Sequence, residues 1–201
     1  MIIIGITGPT GAGKTTALLE LEKLGGAIID CDAVYHELLK GDITLQSELE
    51  QAFGSLKDEQ GAFDRKKLGG VVFQDPAALK QLDAIVWPYI GQAVEERLEQ
   101  ARQQGKPCAA VDGITLIESG LGERCHTTVA VLAPVEERVR RICLREGISE
   151  EYARSRVAAQ KEEDYFRANC EHILMNDCAQ AEEFALRAKT LFERIMDLQG
   201  G

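Results

Sequence analysis

Three observations predict an α/β fold in three layers, α/β/α, around about five parallel strands. Short β-branched apolar runs alternate with helical stretches, a glycine-rich loop joins the first run to the first helical stretch, and residues 44–104 interrupt the alternation with no strand of their own. The first strand is Ile2-Ile3-Ile4-Gly5-Ile6, followed across the loop by a helix through Thr16-Ala17-Leu18-Leu19-Glu20-Leu21. A second short strand, Ala27-Ile28-Ile29, ends in Asp30-Cys31-Asp32 and leads into a helix over residues 33–39. The strandless stretch carries apolar residues at helical spacing, such as Leu45, Leu49 and Phe53, then Leu79, Leu82, Ile85 and Val86, then Ile90, Val94 and Leu98. Gly41, Gly54, Gly61, Pro76 and Pro88 are expected to divide it into separate helices. Strands return at Cys108–Val111, Thr127–Leu132 and His172–Met175. Pro134 opens the helix after the fourth strand, Gly147 stops it, Ser149 caps the next, and a long helix runs from about Ala181. The expected organisation is a core of residues 1–40, 106–148 and 168–201, a helical insertion at 41–105, and a polar helical lid at 149–167.

The glycine loop, Gly8-Pro9-Thr10-Gly11-Ala12-Gly13-Lys14-Thr15, fits G-x-x-x-x-G-K-[ST] between a strand and a helix, the context in which that pattern has physical meaning. Its N–H groups can converge on phosphate oxygens, and the helix N-terminus adds its positive end. Gly8, Thr10, Gly11, Ala12, Gly13, Lys14, Thr15 and Thr16 are therefore the expected ATP-binding set. Lys14 can reach the terminal phosphates and the Thr15 hydroxyl can ligate Mg²⁺. The fold class is that of a P-loop NTPase.

Bulk properties narrow the remaining classes. The formal net charge of -10 argues against a general nucleic-acid binder, which needs a basic footprint. Cys31, Cys108, Cys125, Cys143, Cys170 and Cys178 show no metal-site spacing, so they read as small core residues in a reducing cytoplasm. The first apolar run breaks at the glycine loop, which argues against a signal peptide, and no run approaches the ~18 apolar residues of a membrane span. His36, His126 and His172 match no triad spacing and read as structural.

Phosphoryl transfer needs, beyond the cradle, a group to take the hydroxyl proton and positive charge over the transferring phosphoryl. Asp30 and Asp32 arrive at the carboxyl end of a strand; one could act as the base, and Asp32 could equally be the N-cap of the following helix. Asp112 ends the third strand, where a Mg²⁺-holding carboxylate commonly sits; as part of Asp-Gly it could also be a turn residue. Arg138, Arg140, Arg141, Arg145, Arg154 and Arg156 form the conspicuous basic cluster of an acidic chain, with Arg141 and Arg145 on one helix face. Arginines on a mobile polar hairpin suit a lid over phosphates; singly, each also reads as a solvated partner for a nearby glutamate, as Glu137 is for Arg141.

In this order and spacing, the chain resembles dephospho-CoA kinases over nearly its whole length. Ile29-Asp30-Cys31-Asp32 is similar to that family's Ile-Asp-Ala-Asp, and Gly61 through Leu68 resembles its Gly-x-x-Asp-Arg-x-x-Leu block. Arg141 to Arg145 resembles its Arg-x-x-x-Arg, Arg156 to Gln160 its Arg-x-x-x-Gln, and Ile173-Leu174-Met175-Asn176 its closing strand end. The resemblance implies ATP-dependent phosphorylation of the ribose 3′-hydroxyl of dephospho-CoA, with Asp32 as base, Lys14 and Arg141 on the transferring phosphoryl, and Thr15 on Mg²⁺. It also implies Arg145 and Asn176 at ATP, and Asp32, Asp64, Arg65, Trp87, Glu118 and Arg156 on the acceptor side. ATP and dephospho-CoA are the implied partners, in a monomer or weak homo-oligomer, with no nucleic acid or membrane.

The chain departs from the family pattern at three places. Val86-Trp87-Pro88 replaces Leu-His-Pro, and an indole cannot do the acid–base chemistry of imidazole. Ile114-Thr115-Leu116-Ile117-Glu118 replaces Pro-Leu-Leu-Phe-Glu, and Cys170-Glu171 replaces Ala-Asp. Two other readings stand beside the resemblance: a nucleoside monophosphate kinase, and a nucleotide-binding module without turnover. The chain carries no Asn-Lys-x-Asp and no Leu-Ser-Gly-Gly-Gln, which disfavours a GTPase and an ABC-type ATPase.

Overall fold

A computed structural model describes residues 1–199. Five strands form one sheet: β1 (Ile2–Thr7), β2 (Ala27–Asp30), β3 (Cys108–Asp112), β4 (Thr127–Leu132) and β5 (His172–Met175). Their order is β2-β3-β1-β4-β5, so the chain leaves β1 to one side for β2 and β3 and to the other for β4 and β5. The carboxyl end of β1 is thus a topological switch point, where parallel α/β sheets receive ligands. The register is parallel, with Ile6 beside both Asp112 of β3 and Val129 of β4. Alternation along the strands sends Ile4, Ile6, Cys108, Ala110, Val129 and Val131 to one face. There they pack with Ala17 and Leu21 of α1 (Lys14–Lys23) and Phe184, Ala188 and Phe192 of α9 (Ala181–Gln199). On the other face Ala130 and Leu132 meet Phe166 of α8 (Glu163–Asn169).

The chain forms two compact units, one of residues 1–29 and 100–201 and one of residues 30–99. The second begins at Asp30, so α2 (Cys31–Gly41) clusters with the helices that follow it. These are α3 (Ile43–Phe53), α4 (Arg65–Val72) and the greater part of α5 (Pro76–Gln103). Aspartates start all four of α2–α5, Asp75 accepting from the Ala77 amide of α5 at 2.8 Å. Asp30 accepts from the Asp32 and Ala33 amides, Asp42 from the Leu45 amide, and Asp64 from the Lys66 and Lys67 amides.

One local expectation is corrected here. Pro88 does not end a helix: α5 runs unbroken through it. The apolar stripe Leu82, Val86, Ile90, Val94, Leu98 continues across the proline, each residue buried, and that burial outweighs the ~3 kcal/mol cost of proline in a helix interior. The stretch 44–104 holds no strand, as expected; an isolated antiparallel bridge, Lys57 with Phe63, closes the turn before α4.

Among the six cysteines, all free thiols, Cys125 makes a specific prediction. Its Sγ donates to the Leu121 carbonyl at 3.4 Å, and burial pushes the thiol up from 9.0 to about 12. Because the folded value exceeds the unfolded one, this contribution to stability is present below pH 9.0 and is lost as pH rises towards about 12. At about pH 8.5, iodoacetamide should leave Cys125 unmodified in the folded protein and modify it once denatured. Peptide mass spectrometry showing equal labelling in both states would contradict this.

Candidate active site

The loop between β1 and α1 owes its shape to glycines that nothing else could replace. Gly8, Gly11 and Gly13 have φ of 139°, 82° and 105°, in the region that L side chains rarely adopt. At Gly8 a Cβ would lie 2.1 Å from the Val131 carbonyl oxygen, and at Gly13 2.3 Å from Asn176 Nδ2. Gly13 is the N-cap of α1, and with no side chain it makes no capping hydrogen bond; the first turn holds no acidic residue either. Asp30, Asp42, Asp64 and Ser149, by contrast, supply side-chain caps to the helices they start. The Thr16 amide donates to the Gly13 carbonyl at 3.1 Å, which leaves the Lys14 and Thr15 amides to an outside acceptor, and the first turn places no carboxylate at the helix's positive end.

Side chains occupy the loop's carbonyls. Lys14 Nζ donates to the Gly8 carbonyl at 3.0 Å. Arg138 Nε donates to the Thr10 carbonyl at 3.0 Å, and Asn176 Nδ2 to the Ala12 carbonyl at 2.8 Å. Arg141 Nη1 reaches the Gly11 and Ala12 carbonyls at 3.3 and 3.4 Å, and its Nη2 reaches Asn176 Oδ1 at 3.3 Å. Asn176 follows β5, and Arg138 and Arg141 lie on α6 (Val135–Glu146). Elements far apart in sequence therefore brace the loop through its carbonyls. Ala12 is buried in the core, Lys14 and Thr16 are half-buried, and Thr15 is exposed.

The predicted arginines separate in the structure. Arg145 pairs with Glu146 at 2.6 Å, and Arg156 pairs with the same carboxylate. Arg154, on α7 (Glu150–Ala158), joins Glu136 and Glu150. These are exposed pairs of the kind that contribute little to stability. Arg141 alone of the three that the resemblance implied, Arg141, Arg145 and Arg156, touches the loop. Glu118 is exposed and accepts from Tyr165 of α8; burial first, then this hydrogen bond, pushes the phenol up to about 12. Glu171, at a departure from the family pattern, accepts from the Thr127 hydroxyl at 2.7 Å.

Asp112 closes β3 in register with Ile6, one strand away from the loop, with Oδ1 buried. Among the described residues no cluster of three or more His, Cys, Asp or Glu could hold a metal. A Mg²⁺ that arrives with nucleotide needs only one or two protein oxygens, the rest coming from phosphate and water. The Thr15 hydroxyl and the Asp112 carboxylate are hard oxygen donors of that kind, so the donor set fits.

In the helical unit, the cap of α2 is Asp30 and not Asp32. Asp32 stands in the first turn, exposed, with the capping bonds already supplied by its neighbour. Asp64 caps α4, and Arg65 Nη2 lies 3.3 Å from His36 Nε2. Both residues line a cleft of about 1050 Å³ with Tyr35, Phe63 and Phe73. Burial, above all, raises the Tyr35 phenol. Trp87 is half-buried on α5.

Two residues at the loop had no place in the expected site: Arg138 and Gln160. Arg138 is 6% exposed and sits between Val135, Val139 and Ile142 on the apolar face of α6, an arginine interrupting an apolar stripe. That interruption was the available signal. Gln160 lies in the turn between α7 and α8, and its signal was its place at the end of the Arg-x-x-x-Gln stretch.

A strand, an uncapped glycine-led helix start and a lysine at the switch point of a parallel sheet define a nucleotide-phosphate site of the P-loop kinase class. Solved kinases share the fold: the shikimate kinase from Bacteroides thetaiotaomicron aligns over 96% of this chain and 98% of its own, with a TM-score of 0.57 and 18% identity. The family model for dephospho-CoA kinase matches residues 2–182, and the chain belongs to that family. The dephospho-CoA kinase of Geobacter sulfurreducens is 38% identical over 161 residues, covering 80% of this chain and 82% of its own. That of Thermobifida fusca is 30% identical over 196 residues, covering 97% and 96%. The solved structure of TT1252 from Thermus thermophilus aligns over 100% of this chain and 98% of its own, with a TM-score of 0.81 and 33% identity.

Proposed function

We propose that this chain transfers the γ-phosphoryl group of ATP to the ribose 3′-hydroxyl of dephospho-CoA, giving coenzyme A and ADP. The observation that carries the acceptor is the family match over residues 2–182. Support for phosphoryl transfer comes from the open Lys14 and Thr15 amides at the start of α1. In this reading Asp32 accepts the proton as the hydroxyl oxygen attacks phosphorus, and the bond to ADP breaks. Asp30 supports the role by taking the cap, which leaves the Asp32 carboxylate for chemistry. Lys14 leaves the Gly8 carbonyl for the terminal phosphates, and Arg141 follows from Gly11 towards the same charge. Mg²⁺, held at Thr15 with Asp112 nearby, would neutralise charge on the phosphate oxygens. Residues 149–167 act as the lid. Asp64, Arg65, Trp87, Glu118 and Arg156 serve the acceptor side, and Arg145 and Asn176 the nucleotide. We place the protein in the cytoplasm, where six free thiols stay reduced; among the described residues no helix is long and apolar enough to cross a membrane.

The test is an acceptor panel. With ATP and Mg²⁺, dephospho-CoA should yield ADP and 3′-phosphorylated product in equal amounts, and AMP, CMP and water should not. Turnover with AMP but not with dephospho-CoA would assign a nucleoside monophosphate kinase. Binding of ATP without turnover on any acceptor would assign a nucleotide-binding module.

A further inference from the structure

Thr10, at the outer rim of the phosphate loop, is held at its amide, its carbonyl and its hydroxyl. Its N–H donates to Gln160 Oε1 at 3.1 Å, and its hydroxyl oxygen accepts from Gln160 Nε2 at 2.9 Å. Its carbonyl accepts from Arg138 Nε at 3.0 Å, and Arg138 Nη2 donates to the same Gln160 Oε1 at 2.6 Å. Two donors converging on one oxygen fix the amide's orientation, and its NH₂ end is left to donate to the Thr10 hydroxyl. Among the described residues the hydrogen bonds of buried Arg138 run to neutral oxygens, and burial lowers its proton affinity without a carboxylate to offset it. A guanidinium desolvated beside neutral partners is costly to keep unless its geometry is satisfied. Gln160 supplies one of its two acceptors. Arg138 and Gln160 also line a cleft of about 690 Å³ with Pro9 and the residues of the α7–α8 turn.

We propose that Gln160 and Arg138 are positioning residues that hold the loop at Thr10 in its phosphate-receiving shape, so that the seating of the α7–α8 turn sets the affinity for ATP. The proposal rests on the reading of this loop as the ATP site. Gln160→Ala removes both bonds to Thr10 and leaves Arg138 Nη2 without its acceptor. It should weaken ATP·Mg²⁺ binding about tenfold in a calorimetric titration and raise the KM for ATP by the same factor. The KM for dephospho-CoA should hold, Tm should fall by only a few degrees for the bonds lost, and kcat should stay within about threefold of the parent. Gln160→Glu should restore ATP affinity, because its carboxylate accepts from Arg138 and from the Thr10 amide while the Thr10 hydroxyl turns to donate. Arg138→Lys loses the fork and should resemble Gln160→Ala, and the double variant should fall short of the product of the two. Unchanged ATP affinity in Gln160→Ala would overturn the proposal. So would a parallel rise in both KM values, the mark of a general structural role. If Arg138→Lys fails to fold, the two Gln160 variants decide. The ATP titration needs no acceptor, so a failure of the clamp is distinct from a failure of wild-type turnover on dephospho-CoA.

Discussion

Asp32→Asn should lower kcat by about 10²–10⁴-fold while ATP affinity changes little. The substitution keeps shape and removes basicity, so the loss would report the proton acceptor and nothing of the fold. The neighbouring carboxylate supplies the control. Asp30→Ala removes the cap from the Asp32 and Ala33 amides and should cost about 0.5–2 kcal/mol of stability, with much of the activity kept at low temperature. Steady-state kinetics beside thermal unfolding separates the two effects. Near-normal kcat in Asp32→Asn would remove Asp32 from the chemistry and leave the reading of the loop standing.

Gly8→Ala should be the most damaging single methyl in the core unit. The new Cβ would lie 2.1 Å from the Val131 carbonyl oxygen and 3.1 Å from its carbon, at a φ of 139°. Those are backbone atoms of β4, so no rotamer change relieves the contact. Strain at the dihedral costs about 1–3 kcal/mol and overpacking about 1–3 kcal/mol more. At about 2–4 °C per kcal/mol for a chain of this size, Tm should fall by roughly 10 °C, and ATP binding should be lost with the loop. Gly61→Ala is the comparison: its φ is 81°, yet its Cβ would meet nothing within 4 Å, so only the dihedral strain is felt. Equal Tm values for the two variants would show that the approach to Val131 does not constrain the loop.

The legible parts of this protein are those whose physics is local. Each strand announces itself as a short apolar run, because a strand buried on both faces has no polar side to show. The glycine loop is legible because a left-handed backbone and a close approach to a phosphate both demand glycine within a few residues of the lysine. Ser149 as a cap and Gly147 as a stop are local in the same way, and both stand in the structure. Pro88 misled because its local rule, a broken helix, yields to a stripe of buried residues on either side. The candidate cap read from the sequence was Asp32 and the structure gives that place to Asp30, because two residues of offset in a helix start exchange their roles.

The sequence by itself determined the fold class, the position of the phosphate loop and the family, since strand pattern, glycine spacing and motif order are written along the chain. Only the tertiary structure decided which of several chemically equivalent side chains serves the loop. Six arginines lie between residues 138 and 156. Arg138 and Arg141 hold loop carbonyls, while Arg145, Arg154 and Arg156 pair with glutamates. Gln160 meets Thr10 across 150 positions. A guanidinium's work depends on which oxygens surround it and how little water remains, and those are set by packing between elements distant in the chain.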